Sequence, residues 1–100
     1  MTNKHYILVD KKPLESDLMG WAKWIENSEN KIVKQDTLPD GTFISTVFLG
    51  LDHNYAETGD PVLFETMIFG GGYDQYQERY TTWEDAEKGH GKALKLLGVL

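Results

Sequence analysis

Two apolar segments separated by a polar loop dominate the middle of the chain: TFISTVFLGL (42–51) and VLFETMIF (62–69). Side chains of an extended strand alternate between its two faces. In the first segment Phe43, Ser45, Val47 and Leu49 share one face, and Ile44, Thr46, Phe48 and Gly50 share the other. The second segment is apolar on both faces except at Glu65 and Thr66. Strands of this kind belong in the middle of a sheet, covered on both sides or meeting a partner subunit. KIVKQDTL (31–38) and the turn PDG (39–41) lead into the first of them, and Asp-Gly between two β-rich runs is a hairpin signal.

The flanking segments supply the remaining elements. HYILVD (5–10) reads as a first strand, closed by KKP. The period then changes: Leu18, Trp21, Ala22 and Ile25 follow the helical i, i+3, i+4, i+7 rule. Ser16 is placed to cap this helix, with Asp17 favourable in its first turn, and NSEN (27–30) ends it. GGGYDQYQ (70–77) is a flexible connection, and ERYTT (78–82) reads as a short fifth strand. The last helix spans 82–97, with Thr82 and Asp85 resembling a capping box. Its apolar stripe is Trp83, Ala86, His90, Ala93, Leu94 and Leu97. The expected fold is α+β, a single domain over 1–100. It has an antiparallel sheet of four to five strands with two helices on one face, in the order β-α-β-β-β-(β)-α.

Composition narrows the function classes. A chain of 100 residues without cysteine has no disulfide, thiolate metal site or cysteine nucleophile. The net charge is −6 and the only arginine is Arg79, so the clustered cations that nucleic-acid binding needs are absent. No apolar run approaches the ~20 residues of a membrane span, and the N-terminus lacks a signal peptide's apolar region. The sequence expectation is a cytoplasmic protein that binds neither nucleic acid nor membrane.

Four segments, in order, carry a resemblance: DLMGWAKWIE, ISTVFLGLDHNY, LFETMIFGG and ERYTTWEDAEKGH. They resemble a small protein family carried by tailed bacteriophages and prophages, over roughly residues 6–90. The resemblance implies a phage-genome origin and a bacterial host cytoplasm. It brings no activity, and no catalytic residue carries over.

Three constellations carry chemistry. Asp52, His53 and Glu65 offer the carboxylates and imidazole of metal-assisted or acid–base hydrolysis. Adjacent strand residues face oppositely, however, and Glu65 stands ~10 Å or more from His53 at ~3.4 Å per residue. The simpler reading makes Asp52 the start of an Asx turn and pairs Glu65 with a lysine or Arg79 across the sheet. His90, flanked by Gly89 and Gly91, reads as a buried imidazole bonded to a sheet carbonyl or to Glu65; convergence with His53 would instead build a hydrolase. Tyr73, Tyr76, Arg79 and Tyr80 read as a contact surface, because tyrosine and arginine are enriched in binding hot spots. Trp24, about 60° around the helix from Trp21, sits at the rim where an indole serves subunit association or a ligand cleft; Trp21 and Trp83 read as core.

The leading functional expectation is a non-catalytic binding module with no cofactor or metal. It modulates a host protein or small-molecule ligand through Trp24, Asp52, His53, Tyr73, Tyr76, Arg79 and Tyr80. A homodimer is expected from strands apolar on both faces. The alternatives are a small hydrolase using His53 and His90 with Asp52 and Glu65, and a minor virion structural protein.

Overall fold

The computed structural model describes residues 4–56 and 58–99. The chain folds as an α+β protein with two helices and two antiparallel sheets. β1 (His5–Val9) and β2 (Lys12–Ser16) form a hairpin, and α1 (Leu18–Ile25) follows. A short 3-10 turn (Ser28–Lys31) then leads into the meander β3 (Ile32–Thr37), β4 (Phe43–Phe48), β5 (Phe64–Phe69) and β6 (Gln77–Tyr80). α2 (Trp83–Leu96) closes the chain. The meander is one sheet in the order β3-β4-β5-β6.

β2 is the element that the sequence reading missed, because Lys-Lys-Pro looks like a strand terminator. Asp10 and Lys11 take φ of 51° and 68°, the double left-handed turn of a two-residue hairpin. Val9 pairs with Lys12 next to that turn, so Leu8 and Pro13 fall in the class of pairs that exchange no hydrogen bonds. The nitrogen of Pro13 therefore faces away from the partner strand, where a missing N–H costs nothing. The α1 cap also differs from expectation. Ser16 ends β2, and Asp17 is the N-cap, its Oδ1 accepting the Gly20 N–H at 2.7 Å.

Register decides which side chains enter the core. Phe48 pairs with Phe64, Thr46 with Thr66 and Ile44 with Ile68, and all six are fully buried. Burying each of the four large apolar members contributes about 1.5–3 kcal/mol relative to exposure. Their face is covered by α2, whose Ala86, Gly89, His90, Ala93 and Leu94 point inward. The same face also receives Tyr6 and Leu8 from β1 and Trp24 from α1, the last meeting Phe48 edge-on at 5.6 Å. Gly50 (φ 75°) lets α1 approach; a Cβ there would lie 2.6 Å from Trp21 Nε1.

Both helices thus sit on one face, as expected, and of the two alternatives for β4, covered on both sides or meeting a partner subunit, the first is corrected. The opposite face carries Phe43 stacked on Phe69 at 6.1 Å, then Ser45 beside Met67 and Val47 beside Glu65. No element of the described chain lies over it, and Phe69 is 40% exposed. The α1 stripe is also less buried than predicted: Leu18 is 59% exposed, and Trp21 and Ile25 make the contact instead.

Candidate functional site

His90 lies in the middle of the core between an aromatic cluster (Phe48, Phe64) and an aliphatic one (Ile44, Ile68). Its Nε2 is 2.7 Å from Asp36 Oδ2, its Nδ1 is 2.7 Å from Thr46 Oγ1, and Thr46 Oγ1 is 2.6 Å from Thr66 Oγ1. Ionised Asp36 only accepts, which assigns the proton to Nε2. In the neutral ring Nδ1 then accepts from Thr46, and Thr46 accepts from Thr66. Every member of the row has a hydrogen-bond partner within the network, the condition for placing polar groups in a core. The expected partners of His90, a sheet carbonyl or Glu65, are thus replaced by Asp36, Thr46 and, through it, Thr66.

Carboxylate, imidazole and hydroxyl in succession are the parts of a nucleophilic triad. Here the hydroxyl belongs to Thr46, whose exposure is 0%, beneath α2 and between apolar layers. No substrate carbonyl reaches it without opening the core. The row is a structural network, with Asp36 as its outer end at 38% side-chain exposure.

Glu65 sits on the other side of the sheet. It pairs with Arg79 in register, and its Oε2 accepts from Arg79 Nε at 2.9 Å and from Gln77 Nε2 at 2.6 Å. Asp52 Oδ1 accepts from the N–H groups of Asn54 at 2.8 Å and Val62 at 2.9 Å, the Asx turn expected, and thereby ties both ends of the β4–β5 loop together. His53 lies in that loop; its Nδ1 donates to Leu51 O at 2.8 Å. Each candidate acid or base therefore has its own local partners. Among the described residues, no three His, Cys, Asp or Glu side chains are grouped to hold a metal.

The tyrosines and Arg79 divide between the sheet faces. Arg79 points to the uncovered face with Glu65, while Tyr80 turns beneath α2 and Tyr73 stays in the exposed β5–β6 connection. Tyr76 packs against the aliphatic cluster and donates to Glu78 Oε2 at 2.6 Å. Burial first, then the bond to Glu78, pushes its phenol well above the usual range. Burial also raises the Tyr80 phenol, more than the neighbouring Thr66 hydroxyl lowers it. That neighbour completes no hydrogen bond, and the buried Tyr80 hydroxyl has no partner. Trp24 is half-buried core packing, its carbonyl tied to Asn30 Nδ2 at 2.8 Å.

Sequence reasoning placed His90 inside and missed Asp36, Thr46 and Thr66. The available signal was parity: Thr46 and Thr66 interrupt the apolar strands on the face that bears Ile44, Phe48, Phe64 and Ile68. Comparison of the chain with protein-family models, curated proteins and solved structures gave no match. The functional reading therefore rests on the chain's own residues.

Proposed function

We propose that this chain is a non-catalytic binding module. The motif resemblance supports reading it as a phage-encoded accessory protein that occupies and modulates a host protein or small molecule in the bacterial cytoplasm. The observation that supports this reading is the separation of the reactive groups. His90 is sealed beneath α2, Glu65 is neutralised on the opposite face, and His53 is bonded within its loop. An enzyme needs such groups within reach of one reacting atom.

The purified protein should turn over no ester, phosphodiester or peptide substrate, with or without added zinc or manganese. Hydrolysis that disappears in His53→Ala would overturn the proposal.

The homodimer belongs to the same proposal. The uncovered sheet face offers Phe43, Val47, Met67 and Phe69 to a second copy, bordered by Gln35, Gln77 and the Glu65–Arg79 pair. Three strands of six residues and one of four, ~4.8 Å apart at ~3.4 Å per residue, give a flat area of about 360 Å² per copy. A lasting interface uses about 800 Å² per partner. Such a dimer is accordingly weak and forms only at high concentration.

A further inference from the structure

β6 is the outermost strand of the meander, and nothing in the described chain pairs with its outer side. Ile68 N–H donates to Tyr76 O at 3.1 Å, which makes 68 and 76 a hydrogen-bonded pair. Antiparallel alternation then puts Thr66/Glu78 and Phe64/Tyr80 in the same class. Gln77 and Arg79 therefore turn their backbone N–H and C=O groups outward. Alongside this edge, α2 leaves a groove of about 400 Å³, walled by Glu78 and Tyr80 on the strand and by Asp85, Lys88, Gly89 and Lys92 on the helix. Gly89 permits its shape: a Cβ at that position would collide with the Tyr80 phenol, which forms the floor against the helix backbone.

We propose that this groove takes an extended peptide segment of a partner protein, added to β6 as a further antiparallel strand, with an acidic side chain set opposite Tyr80 and against Lys88. The proposal rests on the binding reading above and names its partner chemistry. Strand addition of this kind draws affinity from backbone hydrogen bonds and specificity from alternate side chains.

The charges in the groove select the occupant. Arg79 is engaged by Glu65, and Lys92 lies 3.6 Å from Glu78. Asp85 sits in the first turn of α2, where the helix dipole favours a carboxylate. Lys88 alone among the charged groups of the wall has no compensating contact among the described residues. The residue opposite Arg79 sends its side chain to the uncovered face, so the preceding residue of an antiparallel guest faces α2 opposite Tyr80, within reach of Lys88.

A second copy of β6 is a poor guest. A two-fold axis at residue 79 sets Arg79 against its own copy, one at residue 78 sets Glu78 against its own copy, and one at residue 77 or 80 overlaps only the end of this four-residue strand. Like charges directly opposite each other destabilise a strand pair.

The test uses the full chain labelled with ¹⁵N and the probe acetyl-Thr-Val-Glu-Val-Thr-Val-Thr-amide. Saturable binding in the sub-millimolar range is expected, with shifts concentrated in β6 and in residues 85–92. Lys88→Glu, an exposed substitution, should weaken binding about tenfold or more, and the probe carrying Lys in place of Glu should restore it. Methylating the nitrogen of the valine after Glu should abolish binding by removing a ladder donor. No binding at 1 mM, equal binding of the methylated probe, or indifference to Lys88→Glu would each overturn the proposal. Failure here with a host target still captured leaves the binding module standing, whereas the appearance of turnover removes both.

Discussion

Gln75 holds a backbone conformation that suits glycine. Its φ is 72°, and its N–H donates to Ile68 O at 2.9 Å while Ile68 donates to the next residue, Tyr76, at 3.1 Å. That pattern is a bulge whose first residue is left-handed. An L-residue there costs roughly 1–2 kcal/mol, offset in part by the lower unfolded-state entropy of glutamine relative to glycine. Gln75→Gly should therefore raise the unfolding free energy by about 0.5–1 kcal/mol, seen as a higher urea midpoint at unchanged slope. The same residue scale shows what one sequence hides. The stripe Trp83, Ala86, His90, Ala93 placed the imidazole inside, since helical spacing is local information. Its partners Thr46 and Asp36 stand 44 and 54 positions away, and only the register of three strands brings them to it.

Elements were legible where a local rule dominated. Thr82 caps α2 as expected, its Oγ1 accepting the Asp85 N–H at 3.1 Å, and Pro-Asp-Gly turns between β3 and β4. β2 was not legible, because the harm done by a strand proline depends on which way its nitrogen faces, and pairing decides that. The seating of β6 under α2 also has a consequence in alkali. Tyr76 and Tyr80 flank that contact, and both phenols lie above their ordinary value of 10.0, chiefly through burial. Below pH 10 both the folded and the unfolded chain hold these protons, and the full stability is present. Above it the unfolded chain ionises first, so stability falls as pH rises from 10 toward the folded values. Urea midpoints measured from pH 8 to 12 should decline above pH 10, and less steeply in Tyr76→Phe.

For the whole molecule, both helices gather on one side, as the stripes on α1 and α2 suggested. The apolar residues on the other side of β4 and β5 were equally visible, yet no part of the described chain covers them. Light scattering should give 11.4 kDa when dilute and a mass that climbs toward twice that as concentration rises. Phe69→Lys, on the exposed member of the aromatic stack, should hold the mass at one chain; a wild type that stays at one chain up to ~1 mM would rule the dimer out. The buried row from Asp36 to Thr66 draws one member from each of β3, α2, β4 and β5. Sliding β4 by a single position would carry Thr46 to the far side and leave the imidazole Nδ1 facing hydrocarbon, and sliding β5 would take Thr66 away from Thr46. The row thus works as an alignment key: near-miss pairings of this apolar sheet are penalised from within, because the imidazole on α2 finds both its partners only over correctly registered β3 and β4.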